Sequence, residues 1–299
     1  MATRTISPRF GPIDLAATLF PLRRGHQDPT TTIAGAQALR ALRTTEGPAT
    51  LHLRTYGARI DVEAWGPGAD RALEDASGLV GADDDWSGFD PRDDLIRRLR
   101  REHPGLRLTR TGALTDALIP AICEQKVTGI EARRAYRLLT LETAEPAPGP
   151  GHLMLPPDPA RVANLPSFTF HRCGLERRRA DVIRGVCART GRIDALAQGT
   201  LEEAKRALLR LPGIGSWTVA EVARLALGDP DAVSVGDFHL PNLVAWALAG
   251  EPRGTDERML ELLEPYAGHR ARVEVLLEAS GMHAPRYGPR VEPRSIARH

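Results

Sequence analysis

Apolar and polar residues alternate through Ala49–Thr55 (ATLHLRT) and Arg59–Ala64 (RIDVEA). Leu51 and Leu53, then Ile60 and Val62, fall on every second position, the repeat of a strand with one buried face. The connection Tyr56-Gly57-Ala58 suits a hairpin. Thr30–Ile33 and Ala38–Thr44 predict two more strands, and Arg71–Ser77 predicts a short helix after the turn Gly66-Pro67-Gly68. Beyond Phe89 the apolar spacing lengthens to the three-and-four step of helices. Asp90-Pro91 reads as an N-cap and first helical residue ahead of RDDLIRRLRREH, which stops at Pro104-Gly105. Leu114–Lys126 and Ile130–Leu141 predict helices parted at Thr128-Gly129. Leu175–Thr190, Thr200–Arg210, Trp217–Leu227, Phe238–Ala249, Asp256–Tyr266 and His269–Ala279 predict further helices. Thr200 with Glu203 has the spacing of a capping box, and Gly228 and Gly250 end the helices before them. Residues 144–159 hold six prolines and predict a surface loop or linker.

The pattern predicts an α+β chain. A small β-rich N-terminal domain, residues 1–85, precedes a mostly helical domain, 86–285, and an irregular Arg- and Pro-rich tail, 286–299. A length of 299 residues agrees with two domains at about 150 residues each. With 42% hydrophobic and 26% charged residues the chain has the composition of a soluble globular protein, and a net charge of +2 creates no global field toward a polyanion. Lys126 and Lys205 are the only lysines among 40 basic residues, an Arg bias that reads mainly as compositional. No apolar run is long enough for a membrane span and no secretory signal opens the chain, which predicts a cytoplasmic protein. Cys123, Cys173 and Cys187 have no paired metal spacing and predict buried thiols in a reducing compartment. Three cysteines are too few for a four-cysteine iron–sulfur cluster.

The chemistry gathers around LPGIGSWTVA, Leu211–Ala220. Proline and two glycines between two helical stretches predict a helix–hairpin–helix. Ile214 would point back between the helices, and the backbone N–H groups at the start of the second helix would open outward as an anion-binding nest for a DNA phosphate. An ordinary corner between two helices, with no ligand, fits the same spacing. Asp237 stands where a new helix begins, so it reads as an N-cap and equally as a carboxylate beside a reaction centre; His239 follows it.

The stretch LPGIGSWTVAEVARLALGDPDAVSVGDFHL resembles the hairpin-plus-aspartate core of the helix–hairpin–helix DNA glycosylases. Pro104-Gly105-Leu106-Arg107-Leu108 and DALIPAICEQKVTGIEARRAYRLL, with Gln125, resemble the family's first core helices. Gly174–Val186 resembles the segment where the family has Lys-Ala and this chain has Arg179-Ala180. A β-rich domain ahead of the helical core is similar to the bacterial AlkA-type 3-methyladenine DNA glycosylases. The resemblance implies a monomeric enzyme that extrudes a damaged base from double-stranded DNA and hydrolyses its N-glycosidic bond. Asp237 matches the family's catalytic aspartate, which stabilises positive charge at C1′ and orients water. Leu211, Pro212, Gly213, Ile214, Gly215, Ser216 and Thr218 match the backbone-gripping hairpin. The resemblance also implies a monovalent cation on the hairpin carbonyls and no other metal. Gln125, Lys126 and Val127 fall where the family inserts a wedge into the minor groove.

Position 217 sets the reaction type. Family members with lyase activity carry a Schiff-base lysine there, and this chain has Trp217, so the resemblance implies base excision alone. A tryptophan lines the base pocket in AlkA-type members and favours cationic bases. Two further pocket aromatics fall at Glu221 and Glu278 in this chain, which predicts a pocket that draws cationic alkyl-purines by charge as well as stacking, one that reads a base with ring N–H donors, or two solvent-facing glutamates. Excision of other damaged or deaminated bases, and DNA binding without excision, remain alternative readings of the same residues.

Overall fold

The computed structural model describes residues 1–285; the tail expected over 286–299 lies outside the described residues. Five strands form one antiparallel sheet in the order β1-β5-β4-β3-β2: β1 (Ala2–Ile6), β2 (Thr31–Ala34), β3 (Gln37–Thr44), β4 (Gly47–Tyr56) and β5 (Arg59–Trp65). The β4–β5 register pairs Leu51 with Ala64 and Leu53 with Val62. Leu51, Leu53, Ile60 and Val62 are all buried on one face. That face packs on α1 (Leu15–Leu19) and α2 (Ala69–Leu79), which bury Leu15, Leu19, Leu73 and Ala76 in the same core. The edge strand β1 carries ATRTI and buries only Ile6, so it has too little apolar alternation to announce itself in the sequence.

The remaining helices are α3 (Asp94–Glu102), α4 (Leu114–Glu124), α5 (Gly129–Glu142), α6 (Pro159–Ala163), α7 (Ser167–Arg172), α8 (Arg177–Cys187) and α9 (Thr190–Asp194). They are followed by α10 (Leu201–Leu209), α11 (Ser216–Val222), α12 (Leu240–Ala249), α13 (Asp256–Leu263) and α14 (Arg270–Ala279). One helical core surrounds α4, the apolar helix whose Leu118, Ile119 and Ile122 are buried against Phe170, Ile183 and Val222. Cys123, Cys173 and Cys187 sit in this core as buried thiols, and burial pushes each up to about 12. A second helical core joins α3, α12, α13 and α14 through Ile96, Val244, Met259 and Leu276.

Three local expectations are corrected. The helix expected from Asp90-Pro91 starts at Asp94, because Asp93 takes the N-cap position and its carboxylate accepts the Tyr266 hydroxyl. The Pro-rich 144–159 segment is no free linker. Its Leu153 and Leu155 are buried against Ala41, Glu145 pairs with Arg43, and the Met154 N–H donates to the Pro29 carbonyl. It therefore returns to the sheet, and sheet and helices are not cut cleanly in sequence. The helix expected over Trp217–Leu227 is α11 followed by one π turn, Ala223–Leu227, closed by Gly228 at φ +68°. The wider turn leaves the Leu225 carbonyl to accept the Thr109 hydroxyl at 2.9 Å and the Ala226 carbonyl to accept the Gly112 N–H at 2.9 Å. Those bonds fix the chain that leads into α4 beside α11.

Candidate active site

The hairpin is built by α10, Arg210–Gly215 and α11. Thr200 and Glu203 close the expected capping box at the start of α10. The Ile214 N–H donates to the Leu211 carbonyl at 3.1 Å, and Ile214 is buried in the core around α4, as its apolar side chain requires. Gly213 adopts φ +81°, and a Cβ there would stand 2.3 Å from Val182 Cγ2, so both conformation and space demand glycine. Gly215 does not use the left-handed freedom of glycine: its φ is −104°, open to any residue, and a Cβ would meet nothing within 4 Å. What Gly215 keeps clear is outside space. It caps α11 with no side chain, and the amides of Gly215, Ser216 and Trp217 have no protein acceptor among the described residues. Pro212, Gly213, Gly215 and Ser216 are exposed, whereas Thr218 is buried.

The turn after α4 leans on this hairpin. The Gln125 side-chain amide donates to the Gly213 carbonyl and to the Thr218 hydroxyl, both at 3.0 Å. Gln125 therefore braces the hairpin, and it occupies one of the carbonyls expected to face a cation. Lys126 is exposed and held at φ +56°, a conformation that costs a non-glycine residue about 1 kcal/mol. Val127 is half-buried. Arg179, buried in α8, donates to the Cys123 carbonyl at 2.7 Å and ties the same helix end from below.

Asp237 lies on the loop between the π turn and α12, half-buried, with Phe238 and His239 exposed beside it. Its Oδ1 accepts the His239 and Leu240 N–H groups at 2.7 and 2.8 Å, so it ties down the turn that enters α12, while His239, not Asp237, takes the N-cap position expected for the aspartate. Its Oδ2 accepts the Trp217 indole N–H at 3.0 Å. Three donors thus fix one carboxylate against the first turn of α11, within one side chain of the open hairpin amides. Phe238 is 81% exposed, with the His239 ring edge-on to it.

Glu221 and Glu278 meet on an arginine that spacing alone left unremarked. Arg224, in the π turn, donates to Glu221 Oε2 at 3.0 Å and to Glu278 Oε2 at 2.9 Å. The Ser234 hydroxyl donates to Glu221 Oε1 at 2.5 Å. Glu221 is therefore neither a solvent-facing residue nor an unpaired charge: burial opposes its ionisation, but Arg224 and Ser234 outweigh that and hold it below the usual carboxylate range. Glu278 keeps 45% of its side chain exposed. Glu274, one turn before Glu278 on α14, is buried and accepts the Ser234 N–H at 3.4 Å. Burial drives Glu274 well above the carboxylate range, Arg224 pulls it down, and Glu278 and Glu221 push it further up. With one guanidinium among three carboxyls, the deepest of them is the hardest to ionise. The signal for Arg224 was present as its three-residue spacing from Glu221. Ser234 carried none, because its role depends on a loop folding back onto α11.

No family model matches the sequence, and no curated protein is similar to it at the sequence level. Solved structures are similar in fold. A 3-methyladenine DNA glycosylase from Archaeoglobus fulgidus aligns with a TM-score of 0.74 at 16% identity, over 92% of this chain and 96% of that one. An 8-oxoguanine glycosylase/lyase from Clostridium acetobutylicum, in complex with double-stranded DNA, aligns with a TM-score of 0.71 at 11% identity, over 94% and 99%. A Schizosaccharomyces pombe 3-methyladenine DNA glycosylase in complex with abasic DNA aligns with a TM-score of 0.53 at 19% identity, over 66% and 96%. The N-terminal sheet, the helical cores and the hairpin together give this chain the fold of solved helix–hairpin–helix DNA glycosylases.

Proposed function

We propose that the chain is a DNA glycosylase that hydrolyses the N-glycosidic bond of alkylated purines in double-stranded DNA and leaves the abasic strand uncut. One observation carries this reading: the Asp237 carboxylate, half-exposed and fixed by three hydrogen bonds, stands next to the open amides of a glycine hairpin. The amides offer donors to a backbone phosphate, and Trp217 offers a flat ring to an extruded base. In the reaction the bond from C1′ to the base nitrogen breaks and its electron pair leaves with the base. Asp237 faces the positive charge that grows on the sugar, water oxygen bonds to C1′, and the water proton passes to the carboxylate or to solvent. An alkylated, cationic purine departs without first gaining a proton, so a ring and a carboxylate suffice. The names of the Archaeoglobus and Schizosaccharomyces proteins agree with this substrate class. Lyase chemistry needs an amine after the hairpin, but Lys205 is paired with Asp229 and Glu202, and Lys126 lies on the turn after α4. Glu221 and Glu278 enter as partners of Arg224, which offsets one of their two charges.

The test is excision from duplexes carrying 7-methylguanine, hypoxanthine or 8-oxoguanine, with products resolved before and after hot alkali. Fastest release from the alkylated duplex, with strand breaks only after alkali, is expected. Breaks without alkali would contradict the hydrolytic assignment, and release of 8-oxoguanine alone would contradict the substrate class.

A further inference from the structure

Two rungs join α11 to the loop that carries Asp237. Trp217 and Glu221 lie four residues apart, one above the other on a face of α11. Ser234 and Asp237 close a turn, with the Asp237 N–H donating to the Ser234 carbonyl at 3.1 Å around Gly236 at φ +91°. The first rung is the Trp217 indole on Asp237 at 3.0 Å, and the second is the Ser234 hydroxyl on Glu221 at 2.5 Å. Glu221 is itself held by Arg224, and the Ser234 N–H faces Glu274. Ser234 therefore uses its hydroxyl, its N–H and its carbonyl to place one turn of chain, and it is 3% exposed.

We propose that Ser234 is a positioning residue for Asp237: its hydroxyl registers the loop against Glu221, so the buried Arg224 cluster sets where the carboxylate stands over the hairpin. The inference rests on Asp237 being the catalytic carboxylate. The loop has other anchors. Asp231 pairs with Arg270, and the Gly236 N–H donates to Asp256 at 3.1 Å. Losing the Ser234 hydroxyl should thus leave the loop folded but free to slide along α11. A displacement near one ångström is enough to cost about 100-fold in rate when the reacting groups are otherwise intact.

The experiment measures single-turnover excision of 7-methylguanine, affinity for a duplex holding a tetrahydrofuran abasic analogue, and the melting temperature, for Ser234→Ala, Ser234→Cys, Glu221→Gln and Asp237→Asn. Ser234→Ala should slow excision about 10- to 100-fold, with affinity within about threefold of the parent. Ser234→Cys, which keeps a weak donor, should fall between the two. Because Glu221→Gln exchanges the charged acceptor of this same hydroxyl for a weaker, neutral one, its cost and that of Ser234→Ala should be non-additive in the double variant. An unchanged rate in Ser234→Ala, or equal losses of rate and affinity, would overturn the positioning role. If Ser234→Ala does not fold, additive costs for Ser234→Cys and Glu221→Gln would overturn it. Full activity in Asp237→Asn would instead overturn the reading on which it stands.

Discussion

At the scale of single residues, the site is a set of carboxyls given different jobs by their partners. Asp237 receives N–H donors on both oxygens, Glu221 and Glu278 share Arg224, and Glu274 is left buried with a backbone N–H. A carboxyl raised in the folded state holds its proton more tightly there than in the unfolded chain. Its contribution is complete below the ordinary carboxylate range and is lost as pH rises toward the folded-state value. Glu274 is such a group. Replacing it by glutamine, which is uncharged at every pH and keeps an acceptor for the Ser234 N–H, should therefore leave stability near neutral pH equal or higher. The melting temperature of Glu274→Gln relative to the parent should climb as pH rises above the ordinary carboxylate range, and a falling difference would refute the upward shift. The glycines and Pro212 are legible in the sequence because they interrupt a helical rhythm, whereas Asp237 reads locally as an N-cap and gains a reactive role, like Trp217, only through the family resemblance. The sequence did not disclose the Arg224 cluster, since four charged residues on two helices look like a solvated face until the helices are packed together.

At the scale of elements, the hairpin separates two meanings of glycine that look alike in sequence. Gly213 is imposed by its φ of +81° and by Val182, whereas Gly215 has an ordinary φ and open space around its missing side chain. Gly213→Ala should lower stability by about 2 kcal/mol or more, through strain and contact with Val182. Gly215→Ala should leave the melting temperature within a few degrees but weaken duplex binding, because the methyl would enter the open space that the proposed function gives to a phosphate. Equal melting temperatures for both variants would contradict this division. The same elements show what periodicity can and cannot reveal. Capped amphipathic helices such as α10 are written in local spacing. The polar edge strand β1 and the Pro-rich cover over β3 are not, because distant partners create them.

At the scale of the molecule, sheet and helices meet across a small polar gap. Asp116 on α4 faces Arg40 of β3 there, in a cavity of about 20 Å³ lined also by Arg24, Thr111 and Tyr136. Burial raises Asp116 from 3.8 to about 6, with Arg40 opposing the rise. By the same linkage sign, its stabilising contribution is lost as pH rises from 3.8 to about 6. Asp116→Asn should therefore gain stability relative to the parent across that window, by no more than about 3 kcal/mol. A difference that stays flat between those pH values, followed by denaturant unfolding, would contradict it. The whole arrangement of gripping hairpin, fixed carboxylate and strapped loop nonetheless turns on one side chain. The most direct measurement is single-turnover excision of 7-methylguanine from duplex DNA by Asp237→Asn beside the parent, with affinity for the abasic-analogue duplex measured on the same samples. The account predicts a loss of at least about 100-fold in excision with duplex binding retained, and excision at the parent rate would contradict it.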